Sequence, residues 1–244
     1  MKKQLNIYGI RPVLELIESG QEIDTIFLQK DIHTEWSYEI KEKAKKYKLN
    51  LKNVPIYKLN RLTKKNHQGV VAITSIIKFQ NFENLLFSTF EKGDFPIFLL
   101  LDRVTDVRNF GSICRSAESL GVHGIIIPKK GSAKINEITT KSSAGAIYNT
   151  NICREDNLIK AVHLAKESGL NIIGCTEKGT ENIYNMNFKQ PTLIIIGSEE
   201  NGITNELLKL CHNTTKIPML GKTKALNVAV ATGIILYEYN RQNL

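Results

Sequence analysis

From Pro96 onward, short apolar runs alternate with segments whose apolar residues fall on one helical face. Residues 97–101, 124–127, 150–153, 171–175, 193–196 and 215–219 read as strands, and 109–120, 158–168 and 205–210 as helices. Such alternation predicts an α/β fold with a mostly parallel sheet covered by helices on both faces. The last helical segment, 227–238, sets Ala229, Ala231 and Gly233 among Val228, Val230, Ile234, Ile235 and Leu236, so almost no side of it suits water. That pattern predicts burial all round.

The first third has its own rhythm: a helix over 10–19 with Val13, Leu14 and Ile17 on one face, a strand at 24–28, a lysine-rich helix at 35–48 and a strand at 70–74. Between 78 and 94 the period weakens to a short helix at 82–90, which reads as a linker. The expected division is 1–76 as a small α/β domain, 77–95 as the linker and 96–244 as the larger domain.

Composition narrows the function classes. Of 244 residues, 42% are hydrophobic and 23% charged, ordinary for a globular chain. Lys and Arg number 33 against 24 Asp and Glu, a net charge of +9 that favours a polyanionic partner such as nucleic acid. Cys114, Cys153, Cys175 and Cys211 form no CxxC pair and stand near no histidine cluster, which points to reduced thiols without a metal site. The N-terminus lacks the apolar core of a signal peptide and no run approaches a membrane span, so a cytoplasmic location is expected.

Ligands of open parallel sheets sit at the carboxyl ends of strands, and three loops there are rich in polar residues. The first, DRVTDVRNFGSICR, runs from Asp102 to Arg115, with Asn109 placed as a helix cap and Gly111 just inside the helix. The second is GSEENG, 197–202, whose two glycines permit close backbone approach. The third follows Ile217 through Gly221 and Lys222 to Asn227, the expected cap of the last helix. No loop carries a complete GxxxxGK[ST] or GxGxxG, which sets aside nucleotide hydrolysis and dinucleotide binding. In the first domain, NRLTKKNHQ places Arg61, Lys64, Lys65, His67 and Gln68 together, either as a solvated turn or as a phosphate-contacting loop.

Taken together, the three loops resemble the motifs of the SpoU/TrmH (SPOUT-class) RNA 2′-O-ribose methyltransferases. Asn109, Gly111 and Arg115 match the first motif. Gly197, Glu199 and Gly202 match the second. The third is matched by IPM at 217–219 and by Gly221, Leu226, Asn227, Val228, Val230, Ala231 and Glu238. IYGIRPVLELI near the N-terminus, HQGVVA at 67–72 and KSSAGA at 141–146 extend the likeness to nearly the whole chain, and the first two resemble the RNA-binding domain of the branch acting on a 23S rRNA guanosine. Two positions depart from the family pattern: Val107 stands where proline is usual and Ala225 where serine is usual.

The resemblance implies a deep trefoil knot in the C-terminal domain. It also implies S-adenosylmethionine held near Gly197, Ser198, Glu199, Gly202, Ile217, Met219 and Leu226, and a homodimer with the active site at the subunit interface. Arg115, Asn109, Glu199 and Asn227 are the implied catalytic residues. Arg115 would orient or deprotonate the ribose hydroxyl with help from an RNA phosphate. Arg61, Lys64, Lys65, His67, Gln68, Arg103 and Arg108 would face RNA. A tRNA ribose is the alternative target; a non-catalytic RNA-binding relative and a basic metabolic enzyme are the alternative classes.

Overall fold

The computed structural model describes residues 5–93, 95–223 and 225–244, and the chain divides into two compact units after Lys78. The first unit runs β1 (Asn6–Tyr8), α1 (Ile10–Glu18), β2 (Ile23–Gln29), α2 (Glu35–Lys46), β3 (Leu51–Val54), α3 (Ile56–Leu62) and β4 (Val70–Thr74). Its sheet has the order β1-β4-β2-β3, parallel only between β2 and β3. Val13, Leu16, Ile17, Ile40 and Ala44 from α1 and α2 cover one face over Ile26, Leu28, Val70 and Ala72. Alternate residues, Phe27 and Val71, meet Leu59 of α3 on the other face, as period-two side-chain alternation requires.

The second unit runs α4 (Phe82–Glu91), β5 (Ile97–Asp102), α5 (Val107–Ser119), β6 (Gly124–Pro128), α6 (Glu137–Ser142), β7 (Ile152–Glu155), α7 (Leu158–Glu167), β8 (Asn171–Cys175), β9 (Glu181–Asn182), β10 (Thr192–Gly197), α8 (Asn205–Leu208), β11 (Asn213–Lys216) and α9 (Val228–Asn243). The strand order is β7-β6-β5-β10-β8-β11-β9. Among the described residues, every strand pairing in this second sheet is parallel. The central strands are apolar on both faces because helices cover both. Phe98, Leu100, Leu193 and Ile195 pack with α4 and α7. On the other side α5 packs against α9. Each fully buried large side chain contributes about 1.5–3 kcal/mol. Among the described residues, no helix is long and apolar enough to cross a membrane.

Two differences from the sequence reading matter for the site. The stretch read as a linker contributes to the second unit's core. Phe82 and Leu86 of α4 are fully buried there, and the Gln80 N–H donates to the Ile152 carbonyl at 2.9 Å. Its amphipathic period was diluted by polar ends, while the partner face lies far along the chain. The last helix is not buried all round: Val228, Ile235, Leu236 and Tyr239 are covered, yet Val230, Ile234 and Tyr237 are 53%, 38% and 64% exposed. These three lie at i, i+4 and i+7 and form one apolar stripe.

Candidate active site

Register alone brings the loops together. Gly197 at the end of β10 pairs with Asp102 at the end of β5. Ile196 pairs with Cys175 of β8, and Cys175 with Thr215 of β11. Four strands therefore release their chains at one edge of the sheet.

The first loop is tied to the second by Asp102, which is 3% exposed. Its carboxylate accepts from the Thr204 N–H at 2.7 Å and from Arg103 Nε and Nη2 at 3.0 and 3.1 Å. The same Nη2 donates to the Gly202 carbonyl at 3.1 Å, and the hydrogen bond to Asp102 raises the guanidinium's pKa further. Arg103, at φ 58°, thus clamps the first loop to the second, with its side chain still 38% exposed. In the second loop the Ser198 N–H donates to the Gly202 carbonyl at 3.2 Å and the Gly202 N–H to the Ser198 carbonyl at 2.9 Å. A Cβ on Gly197 would lie 2.1 Å from the Gly202 carbonyl carbon, so this turn closes only over glycine.

The α5 cap is Asp106, not Asn109: its Oδ1 accepts from the Arg108 and Asn109 N–H groups at 2.9 and 2.8 Å. Val107 is then the first helical residue, a position that proline also suits because its N–H has no partner within the helix. Relieved of capping, Asn109 donates from Nδ2 to Glu199 Oε1 at 3.0 Å and accepts at Oδ1 from Asn227 Nδ2 at 3.0 Å. Asn227 Nδ2 also donates to Glu199 Oε1 at 2.9 Å. Its Oδ1 caps α9, accepting from the Ala229 and Val230 N–H groups at 3.0 and 3.4 Å. The cap fixes which way that amide points. Asn109, Glu199 and Asn227 thereby form a closed triangle joining all three loops. Gly111 is buried against α6: a Cβ there would lie 1.9 Å from Ser142 Oγ.

A cleft of about 500 Å³ opens beside this triangle, within the range of small-molecule sites, roughly 300–1,000 Å³. Gly197, Ser198, Glu199, Gly202, Ile217, Met219 and Leu226 all line it, as does Ala225. So do residues 175–178, which the sequence reading missed. The rule about carboxyl ends of strands applies to β8 as well, and the glycine after CTEK was the available signal. A Cβ on Gly179 would lie 2.3 Å from the Thr215 carbonyl carbon, so this fourth loop is pressed against β11. A second hollow of about 340 Å³, lined by Arg103–Asp106, Asn109, Ser198–Asn201 and Val228, shares Ser198–Asn201 and Val228 with the first.

Arg115 stands apart. It is exposed on α5, lines neither hollow, and among the described residues it hydrogen-bonds to nothing. Arg108 is likewise exposed.

Within the first unit, Arg61, Lys64 and Lys65 are exposed. The Arg61 guanidinium lies 5.9 Å from the Tyr57 ring centre and Lys65 Nζ 5.5 Å from that of Tyr8. His67 is buried at 8% exposure. Its Nδ1 accepts from the Gly69 N–H at 3.0 Å and its Nε2 meets Asn60 Oδ1 at 2.8 Å. Both ring nitrogens are therefore committed, and His67 holds the basic loop rather than facing RNA. Gln68 Oε1 accepts from the Ile10 N–H at 3.1 Å, at the start of α1.

Comparison with known proteins agrees with this geometry. Residues 96–237 match the SpoU rRNA Methylase family, and residues 6–80 match the RNA 2′-O ribose methyltransferase substrate binding family. A protein assigned to the TrmH family of tRNA/rRNA methyltransferases, YacO of Bacillus subtilis (strain 168), is 32% identical over 97% of this chain and 96% of its own. The SpoU methyltransferase AviRb from Streptomyces viridochromogenes, solved in complex with AdoMet, superposes with a TM-score of 0.62 at 26% identity, covering 98% of this chain and 90% of that one. A structure described for 2-OH methylation of C/U34 on tRNA gives a TM-score of 0.56 at 25% identity over 61% of this chain and 97% of its own. With both units matched and the motif residues gathered at one edge of the sheet, the chain belongs to the SpoU methylase family.

Proposed function

We propose that this protein is an S-adenosylmethionine-dependent methyltransferase acting on a ribose 2′-hydroxyl of RNA, with a guanosine of 23S rRNA as the favoured target. The observation that carries the proposal is the Asn109–Glu199–Asn227 triangle, set where two hollows meet. The larger cleft suits the cofactor in size, and the close-packed glycines at its floor let main-chain groups approach a ligand. The bound sulfonium supplies an already electrophilic methyl group, so no metal is needed. The chain's own task is to place the hydroxyl in line and take up its proton.

Asn109 lines the smaller hollow, where the target ribose would sit, and the triangle would keep the two hollows in fixed relation. Arg115 would act from a second subunit. Its neighbour Ser116 lies 3.8 Å from where a Cβ of Gly233 would be, one residue from Ile234 in the exposed stripe of α9. A homodimer formed through Val230, Ile234 and Tyr237 would bring Arg115 to the partner's hollow, and a knotted C-terminal segment would make that platform rigid. Arg61, Lys64, Lys65 and Arg108 would hold phosphates. The tRNA reading is favoured by one observation, the likeness of 61% of the chain to the structure described for tRNA.

Mapping ribose methylation across total RNA from a deletion strain tests the proposal. One 23S guanosine should lose its methyl group and regain it with the wild-type gene but not with Arg115→Ala. Loss at a tRNA position instead would move the target, and no lost site in either RNA would overturn the assignment.

A further inference from the structure

We propose that the loop from Pro128 to Asn136, between β6 and α6, is a rim that grips the phosphate backbone of RNA beside the reaction site; this rests on the RNA methyltransferase reading above. The loop leaves the sheet at the same edge as the catalytic loops, since β6 pairs with β5 in parallel register, Leu100 against Ile126. It is tied to the first catalytic loop directly: the Ala133 N–H donates to the Val104 carbonyl at 2.9 Å.

The loop is built, not loose. Ala133 and Ile135 are 2% and 1% exposed while Lys134 between them is exposed, so an in-out-in alternation aims that lysine outward. Thr139 Oγ1 donates to the Lys134 carbonyl at 2.8 Å. Asn136 then caps α6, accepting from the Ile138 and Thr139 N–H groups at 2.9 and 3.2 Å. Lys129 is committed to Asp156 at 2.9 Å. Lys130 and Lys134 are exposed, and among the described residues neither ammonium has a hydrogen bond or ion pair.

The same holds for two flanking cations. Ser142, next to Lys141, donates to the carbonyl of Val107, next to Arg108, at 3.4 Å, so Lys141 and Arg108 leave neighbouring points of the backbone. Both are exposed and unpaired among the described residues. The nearby acids are mostly spent: Asp106 on its cap and Glu199 on the triangle, with Glu137 on the first turn of α6. Four like charges held on a rigid frame without partners oppose folding rather than aid it. A polyanion beside the ribose site accounts for them, and phosphate contacts position without reading sequence.

The test is Lys130→Ala/Lys134→Ala against Lys92→Ala/Lys189→Ala, a control pair with equal charge loss. Lys92 and Lys189 are exposed and precede the amino ends of β5 and β10, the opposite edge of the sheet. Binding to a hairpin RNA of unrelated sequence is followed by fluorescence anisotropy from 50 to 200 mM KCl. Each phosphate contact contributes about 0.7–0.9 to the log–log salt slope, so the loop variant should lose about 1.4–1.8 of slope and the control none. Calorimetry with S-adenosylmethionine should be unchanged in both, and the unfolding temperature should fall in neither. A loop variant with the wild-type slope, or a control with the same loss, overturns the rim while leaving the methyltransferase reading standing. A wild-type protein with no salt-dependent RNA affinity overturns both.

Discussion

Replacing Gly197 with alanine tests whether the second loop is the floor of the cofactor cleft. The new Cβ would sit 2.1 Å from the Gly202 carbonyl carbon and 2.3 Å from the Ile203 nitrogen, where ordinary contact begins at 3.4 Å. Both opposing atoms are backbone, so the 198–202 turn must shift by more than an ångström. That shift breaks the paired Ser198–Gly202 hydrogen bonds and the Arg103 bond to the Gly202 carbonyl. At about 0.5–1.5 kcal/mol net for each neutral bond and more for the charged one, the loop loses roughly 2–5 kcal/mol. Taken at about 2 kcal/mol, the S-adenosylmethionine Kd should rise roughly thirty-fold, read by calorimetry with thermal unfolding alongside. Gly233→Ala is the contrast, because its nearest heavy atom would be Ser116 Oγ at 3.8 Å. There alanine removes backbone freedom inside α9 and should stabilise by about 0.5–1 kcal/mol. A Gly197→Ala protein with wild-type cofactor affinity and unfolding temperature would refute the placement of the cofactor on this loop.

Three further outcomes are expected. Ile234→Glu puts a charge in the exposed apolar stripe of α9 and should convert a dimer to a monomer in light scattering at micromolar concentration, with activity lost; an unchanged mass would exclude that stripe as the interface. His212 Nδ1 accepts from the Ile172 N–H at 3.0 Å, and burial, then Lys166, lowers its pKa below the ordinary 6.5. The unfolded chain therefore binds the proton more readily, and this contribution is present above pH 6.5 and lost as pH falls through the lower folded value. Unfolding curves at pH 7.5 and 5 should show the loss, and His212→Gln should reduce it. Burial raises the Cys153 and Cys211 thiols to about 12 and 11. At pH 8 about one Cys211 in a thousand is thiolate, so native-state alkylation should be slow and rise sharply on unfolding.

Local chemistry made the strands and most helices legible, because a buried parallel sheet writes itself as apolar runs. The role of Asn109 was not. Asparagine and aspartate are near-equal caps, and choosing Asp106 required knowing that Glu199, 90 positions away, holds the Asn109 amide. The clamp made by Arg103 was not legible either: an arginine at a strand's carboxyl end reads as an anion binder, and nothing local shows that it also joins the adjacent Asp102 to the carbonyl of Gly202. His67 sits in a run of lysines and was counted with them, whereas the N–H of Gly69 turns its ring inward. In each case the local sequence held the residue's chemistry and the fold decided its partner.

Glu199, Asn227 and Arg115 are all exposed in the single chain, yet hydrogen bonds and charges stabilise a transition state most where water is excluded. In a solvated setting, the Glu199 carboxylate could hold two amides in place but would be screened from the reacting centre. A wall is therefore missing. On the proposed reading, one missing wall would be a second copy of the chain docked on the α9 stripe, whose neighbouring helix carries Arg115. The other would be RNA, held by the cations of the β6–α6 loop. Adding RNA and cofactor together to the dimer should then slow alkylation of a cysteine placed at Asn201 far more than either alone. Equal protection by cofactor alone would mean that one chain's loops suffice to close the site.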